Sequence, residues 1–217
     1  MSTIELLKAG GIVSIPLLVF SVITIALIIE RFWFWLRIKS RERVLVKEVL
    51  KIYPSDCVTV INKLRKNLDL PIARIFLESL ELENANATEF RLALETATQA
   101  ELPLLKRFNT FFQTVITVAP LLGLLGTILG LIQSFASLDL GNTGGTNTAG
   151  VTGGISEALV STVMGLVVAI VTLMFANVFR SFYLRQIALI QEYGGQLELL
   201  YRRFYEKGGE EKAYANT

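Results

Sequence analysis

Three side chains in the apolar part of this sequence have the chemistry that a proton relay needs. Thr127 lies within Phe108–Leu138, a stretch of 31 residues without a charge, and Glu157 precedes a second apolar run that contains Thr162. The two threonine hydroxyls can each donate and accept a hydrogen bond, but neither titrates. Glu157 can bind and release a proton, and a carboxylate within a membrane is costly enough to indicate a function. Glu157, Thr127 and Thr162 are therefore candidates for a proton pathway.

Each of these three residues also has a structural interpretation. Glu157 lies in the first turn of a predicted helix, where the helix dipole favours a negative charge, so its role could be that of a cap. A threonine in a membrane helix can bond to the carbonyl four residues earlier or to a neighbouring helix. The residue types alone leave these alternatives open.

The apolar stretches that hold these residues carry stripes of small and polar side chains. On a helical wheel, small residues gather on the same face as Thr127, and Gly126 and Gly130 form a GxxxG pair. Lipid cannot satisfy such a stripe, so it must face protein or water. The residues predicted to form this packing surface or pore lining are Gly123, Gly126, Gly130, Ser134, Ser161, Gly165 and Ala169.

Three segments are long and apolar enough to cross a bilayer, whose core takes about 20 helical residues. The first, Ile12–Ile29, is followed by Glu30, Arg31 and an aromatic run that is typical of a membrane interface. It is longer than the apolar core of a usual signal peptide and lacks a cleavage pattern, so we interpret it as a retained span. The second span is Phe108–Leu138, and the third is Ala158–Phe179.

The segment Arg37–Arg107, between the first two spans, has the composition of a charged helical region. Pro71 suits the first position of a helix. Asn86 with Glu89 three residues later predicts a capping box that opens another helix. From Glu89 that helix could continue without a break to Leu138.

The last two segments are a glycine-rich linker and a charged tail. Asp139–Ser156 holds six glycines and no lysine, which predicts a flexible turn rather than a phosphate-binding loop. The tail has the pattern of an amphipathic helix, and an interruption at Gly194-Gly195 stays open. The predicted organisation is the N-terminus and first span (1–36), a helical insertion (37–107), the second span (108–138), an external loop (139–156), the third span (157–179) and a C-terminal helix (180–217).

The distribution of basic residues predicts the orientation in the membrane. Of the 21 Lys and Arg residues, 13 lie in Arg37–Arg107, six lie from Arg180 onward, and none lies in the glycine-rich linker. Basic residues favour the cytoplasmic side of a membrane. We therefore expect an all-α polytopic membrane protein with three transmembrane helices and long helices that extend into the cytoplasm. Its N-terminus would be external and its C-terminus cytoplasmic.

The composition argues against several function classes. The chain has no histidine and one cysteine, Cys57, which removes the usual general base, a common metal ligand and every Ser-His or Cys-His dyad. Hydrophobic residues make up 52% of the chain and the mean hydropathy is +0.52, values that are high for a soluble domain. We expect no enzymatic activity, no cofactor, no metal and no nucleic-acid partner.

Two segments resemble the ExbB/TolQ branch of the MotA/TolQ/ExbB proton-channel family, namely APLLGLLGTILGLIQSF (Ala119–Phe135) and GGISEALVSTVMGLVVAI (Gly153–Ile170). The resemblance covers essentially the whole chain. It implies a bacterial inner-membrane subunit that forms a homopentamer around a dimer of single-span ExbD/TolR-like partners. It also implies that proton flow, with an essential aspartate of the partner, is coupled to work on a TonB- or TolA-like protein. By motif, Thr127, Glu157 and Thr162 match polar residues of the family.

Two other function classes stay open at this point. The chain could be a passive membrane scaffold, in which the stripes serve only for packing and the basic insertion contacts membrane lipid or a partner. A membrane enzyme is disfavoured because the sequence contains no visible nucleophile–base pair or metal cluster. A single-span partner with an intramembrane aspartate would distinguish the motor subunit from the scaffold.

Overall fold

The computed structural model describes residues 10–82, 85–139 and 148–215, and every regular element within these ranges is an α-helix. The helices are α1 (Ser14–Ile52), α2 (Cys57–Arg65), α3 (Pro71–Leu80), α4 (Ala87–Leu105), α5 (Asn109–Asp139) and α6 (Thr148–Ala215).

Three helical stretches are long and apolar enough to cross a membrane, as the sequence predicts. They are Ser14–Ile52, Ala87–Ser137, which includes the junction between α4 and α5, and Ala149–Phe204. A bilayer core needs about 20 helical residues, whereas α1 has 39 and α6 has 68. Both helices therefore continue well beyond the length that one crossing requires.

The chain divides into two compact units. The first, which we call the apolar unit, consists of Met1–Arg31 and Phe108–Arg180. The second, the charged unit, consists of Phe32–Arg107 and Ser181–Thr217. Helices α1 and α6 contribute residues to both units.

The core of the apolar unit joins the start of α1 to the first half of α5 and of α6. Its buried members are Val13, which directly precedes α1, Leu17 of α1, Val115 and Ala119 of α5, and Ala169 of α6. Leu17 and Val115 have no exposed surface. Burial of these side chains holds the first turns of α1 against the other two membrane helices.

The charged unit contains the local signals that the sequence predicts. Pro71 occupies the first turn of α3. Asn86 caps α4, its side chain accepts from the backbone amide of Glu89, and Glu89 completes the capping box. Phe90 is fully buried and its ring stacks on Tyr201 of α6, with 3.9 Å between the ring centroids. This stacking ties α4 to the C-terminal half of α6.

The prediction of an unbroken helix from Glu89 to Leu138 is wrong. Helix α4 ends at Leu105 and α5 begins at Asn109, because Phe108 adopts a left-handed backbone conformation with φ of 66°. A non-glycine residue is rare in this region, and it ends the helical hydrogen-bond pattern. The Arg31 guanidinium lies 5.2 Å from the Phe108 ring centroid, and Arg31 is buried and paired with Glu30 at 2.7 Å.

The glycine-rich linker is shorter than predicted. Helix α6 already begins at Thr148, so the second half of the predicted Asp139–Ser156 loop is helical, while residues 140–147 lie outside the described residues. The helix forms despite its glycines because Gly154 packs directly against α5, and tertiary contact overrides weak intrinsic propensity. Helix α6 also continues through Gly194-Gly195 without the interruption that the sequence left open.

Candidate functional site

Helices α5 and α6 approach so closely that three glycines of α5 lie against the backbone or short side chains of α6. A Cβ atom added to Gly123 would lie 3.0 Å from the carbonyl oxygen of Ser161, and one added to Gly126 would lie 2.5 Å from the Ser161 Cβ. A Cβ atom on Gly130 would lie 2.5 Å from the carbonyl oxygen of Gly154. Larger residues at these positions would push the helices apart.

The α6 side of this contact uses small residues in the same way. A Cβ atom on Gly165 would lie 2.5 Å from the carbonyl oxygen of Ala119. The Ser134 hydroxyl is buried between Gly130 and Val151, whose carbonyl oxygens lie 3.0 Å and 3.1 Å from it. The seven residues predicted as the stripe, Gly123, Gly126, Gly130, Ser134, Ser161, Gly165 and Ala169, are all buried within a single chain. Packing between two helices of the same subunit therefore accounts for the stripe.

The Thr127 and Thr162 hydroxyls are hydrogen-bonded to each other across the contact between α5 and α6. The Thr127 Oγ1 also lies 3.2 Å from the Ala158 carbonyl oxygen. The Thr162 Oγ1 lies 3.3 Å from the carbonyl oxygens of both Gly123 and Ala158. Ser161 lies 2.9 Å from the same Ala158 oxygen. The structure thus brings the two predicted threonines together on shared acceptors.

This hydroxyl pair has two hydrogen-bonding arrangements. Each hydroxyl has one proton to donate, so one threonine donates to the other and the second donates to a carbonyl. The direction can reverse, because Thr127 and Thr162 each have a carbonyl oxygen in reach. A pair with two directions can pass a proton if a donor and an acceptor lie on either side of it.

The Glu157 carboxylate lies on Gly11, the residue three positions before α1. A Cβ atom on Gly11 would overlap the Glu157 Oε1 and would lie 2.5 Å from its Cδ and 3.1 Å from its Cγ. The described hydrogen bonds do not join Glu157 to Thr127 or Thr162, although Ala158, its neighbour in the chain, accepts from that pair. Within residues 10–82, 85–139 and 148–215, no three His, Cys, Asp or Glu side chains could hold a metal ion.

Three residues at this site escaped the sequence prediction. Gly154 and Ala158 extend the α6 stripe toward the start of the helix. They lie eight and four residues before Thr162, and this four-residue repeat is a signal that could have identified them. Gly11 lies far away in sequence from Glu157. No periodic pattern links the two, so only the tertiary structure identifies this contact.

A second buried carboxyl group lies in the charged unit, where Glu42 of α1 meets Gln186 of α6. The Gln186 Nε2 lies 2.6 Å and 2.7 Å from the two carboxylate oxygens. Burial raises the pKa of Glu42 to about 7, and the hydrogen bond from Gln186 opposes this shift. The pair borders a cavity of about 100 Å³ that Trp35 and Arg185 also line. The sequence analysis did not identify this pair, because an isolated Glu in a charged helix carries no signal of burial.

Comparison with known proteins places these features in a family context. A model described as the MotA/TolQ/ExbB proton channel family matches residues 67–192, more than half of the chain. A Synechocystis protein named biopolymer transport protein ExbB-like 3 is 68% identical over 209 residues, which are 96% of this chain and 99% of that protein. ExbB-like 1 of Synechocystis is 37% identical over 93% of this chain and 79% of its own length. The biopolymer transport protein ExbB of Pseudomonas putida is 37% identical over 46% of this chain and 30% of its own length.

Proposed function

The chain belongs to the MotA/TolQ/ExbB proton channel family, and we propose that it is a membrane subunit that converts the proton motive force into mechanical work. In this proposal it forms a homopentamer around a dimer of single-span ExbD/TolR-like subunits in a bacterial inner membrane. Proton flow through the complex drives work on a TonB- or TolA-like protein in transport or envelope maintenance. The three relatives above are all named biopolymer transport proteins, which supports the transport role.

The observation that carries this proposal is the polar cluster at the contact between α5 and α6. Thr127 and Thr162 are hydrogen-bonded in a pair of helices whose other side chains are mostly apolar. Glu157, next to Ala158, is the only charged residue between Asp139 and Arg180. An ionisable residue within a membrane helix indicates a function by default, and here it lies next to two hydroxyls that can exchange donor and acceptor roles.

The proposed orientation places residues 37–107 and the C-terminus in the cytoplasm, with the N-terminus and the loop before α6 outside. It rests on the 19 basic residues in those two cytoplasmic segments and on their absence from the loop. Glu157 then lies near the external end of its span. Protons entering from outside would meet this carboxylate before they reach the threonine pair.

The exposed faces of α5 and α6 are consistent with assembly into a larger complex. At least half of the surface of each of three apolar residues is exposed in the single chain: 54% for Leu124, 50% for Ile128 and 63% for Leu159. In a homopentamer such side chains contact lipid, neighbouring copies or the single-span partner. Gly123, Gly126, Gly130 and Gly165, by contrast, already pack in the contact between α5 and α6 of one chain.

The proposed role of Glu157 is to load and release protons, together with the partner's aspartate. A proton that crosses the full membrane potential contributes about 2.3 kcal/mol per 100 mV. A group in the pathway must therefore exchange its proton without forming a deep energetic trap. We assign this role to Glu157, whose side chain is only partly buried in the single chain.

Glu157→Gln tests the proposed pathway because it keeps the size of the side chain and removes its titration. The partner is first identified by affinity purification in mild detergent, and the complex is then reconstituted into liposomes with an internal pH dye. We expect proton flux under an imposed potential to fall to the level of empty liposomes, while the complex assembles normally. Glu157→Asp should keep part of the flux.

Normal flux in the Glu157→Gln complex, at equal protein content, would contradict a pathway role for Glu157. Thr117→Val is a suitable control. Thr117 is exposed on α5, and within the described part of the chain its hydroxyl donates to the Gln113 carbonyl of its own helix, at 3.0 Å, and to no other group. Flux through this control should match that of the unmodified complex.

A passive scaffold is the second candidate function. One observation favours it: the hydroxyls of Thr127, Ser161 and Thr162 already have hydrogen-bond partners within the chain. A scaffold would assemble with the same partners and yet show no flux above background in any variant. The flux measurement above therefore separates the two candidates.

A further inference from the structure

Among the glycines that the structure describes in the apolar unit, Gly11 combines two requirements. Its backbone φ is +63°, in the left-handed region that favours glycine. The position of its missing Cβ is also occupied by the Glu157 carboxylate, with Cδ at 2.5 Å and Cγ at 3.1 Å. A residue with a side chain would therefore collide with Glu157 even if the backbone tolerated it.

The turn that contains Gly11 is held firmly in place. The Ser14 hydroxyl donates to the Gly11 carbonyl oxygen, and the Ser14 amide donates to the same oxygen at 3.2 Å. Val13 and Leu17, which follow, are buried in the core between α5 and α6. Hydrogen bonds and the packing of the residues that follow therefore fix the position of Gly11.

The same turn lies beside the close contact of α5 with α6. A Cβ atom on Gly126 would lie 3.5 Å from the Val13 Cβ, and it would also overlap the Ser161 hydroxyl. The turn before α1 therefore packs on α5 close to the threonine pair, since Thr127 follows Gly126 directly. The same turn contacts Glu157 through Gly11.

We propose that Gly11 is a positioning residue for Glu157, whose carboxylate rests on the bare backbone of the turn before α1. The turn blocks one side of the carboxylate and restricts where the carboxylate oxygens can lie. The consequence for proton movement rests on the proposed function of Glu157. The contact itself does not, so the two can be tested separately.

Gly11→Asn is the most informative change, because Asn tolerates a positive φ better than other residues with side chains and yet places a Cβ on Glu157. Gly153→Ala is the matched control: it adds a Cβ in α6 one turn before Glu157, where nothing lies within 4 Å. The readout is the rate at which a carbodiimide modifies Glu157 in the intact complex, measured by peptide mass spectrometry.

We expect Gly11→Asn to displace the carboxylate and to raise its modification rate several-fold, whereas Gly153→Ala should leave the rate unchanged. An unchanged rate in Gly11→Asn, in protein that elutes and melts normally, would overturn the positioning role. A second variant covers failure to fold: Glu157→Asp shortens the side chain by one methylene and should restore the thermal stability that Gly11→Asn loses. Absence of this rescue would also overturn the proposal.

Proton flux in liposomes then connects the contact to function. A displaced catalytic group commonly costs a factor of ten to a hundred in rate, so we expect Gly11→Asn to reduce flux about tenfold. The same change in the Glu157→Asp background should reduce flux much less. If Gly11→Asn alters the modification rate while Glu157→Gln conducts normally, the positioning role holds and the proposed function of Glu157 fails.

Discussion

The contact between α5 and α6 and the charged unit satisfy their polar side chains in different ways. At the helix contact, hydroxyls such as those of Ser134 and Ser161 donate to backbone carbonyls 2.9–3.1 Å away. In the charged unit, charged side chains pair with one another, and Arg74 binds both carboxylate oxygens of Glu101 at 2.6 Å.

This difference follows from what each region uses to pack. The helix contact brings two backbones together, so carbonyl oxygens are close at hand and small residues are essential. The charged unit packs through large side chains such as Phe90, and its polar groups reach each other through long side chains. A single added methyl group should therefore change the free energy of unfolding strongly at the contact between α5 and α6, and only slightly on the surface of the charged unit.

Phe90→Ala is expected to have the largest effect on stability, because it removes a large side chain from the packing of the charged unit. The ring is fully buried and stacked on Tyr201, so its removal leaves a cavity. We expect a loss of about 3–5 kcal/mol in the free energy of unfolding, the usual cost of removing a buried aromatic ring. Thermal unfolding of the detergent-purified chain measures it, and a loss below about 1 kcal/mol would show that the stack is not part of a packed core.

Glu42 predicts a pH dependence that the threonine pair cannot have, because hydroxyls do not titrate. Its pKa rises from the ordinary 4.5 to about 7 on folding, so between these values the folded chain binds more protons than the unfolded chain. Stability should therefore fall as the pH rises from about 4.5 to about 7 and should stay constant above that, with a total change of up to about 3 kcal/mol.

Glu42→Gln should remove this pH dependence while leaving the chain folded. The comparison is the unfolding midpoint of both chains at several pH values across the window. Lys39 and Arg43 on α1 and Arg185 on α6 border the same cavity, so they are kept unchanged in both. An identical pH profile for the two chains would assign the titration to another group.

Two glycine substitutions in α6 test whether an added Cβ atom has opposite effects on stability at the helix contact and in the charged unit. Gly165→Ala places a Cβ 2.5 Å from the Ala119 carbonyl oxygen, a backbone atom that cannot move aside, so we expect a loss of about 1–3 kcal/mol from overpacking. Gly195→Ala meets nothing within 4 Å in the same helix and should stabilise it by about 0.5–1 kcal/mol. Unfolding of the two variants side by side gives the difference, and equal shifts would mean that α5 and α6 are not in close contact.

Sequence patterns predicted the features that depend on periodicity and local chemistry. The small residues of α5 and α6 repeat along one helix face, and the capping box of α4 lies within four residues. Both kinds of signal are contained in a short window. The structure accordingly has a capping box at Asn86, and it buries the small-residue stripe.

The features that sequence patterns missed depend on contacts between distant segments. The break at Phe108 accompanies the contact of its ring with Arg31, and the early start of α6 accompanies the packing of Gly154 on Gly130. The Glu42–Gln186 pair joins residues 144 positions apart. Local propensity contains no information on such pairs, and it also favoured the wrong structure at the glycine-rich start of α6.

We propose that the hydroxyl pair of Thr127 and Thr162 conducts protons and does not only hold α5 and α6 together. The most direct measurement is proton flux in liposomes for the partner complex with Thr127→Val, Thr162→Val and both changes. Because a relay fails when either hydroxyl is lost, we predict that each single change reduces flux about as much as the double change. If all three variants conduct at the unmodified rate and differ only in thermal stability, the pair is structural and the pathway proposed here is wrong.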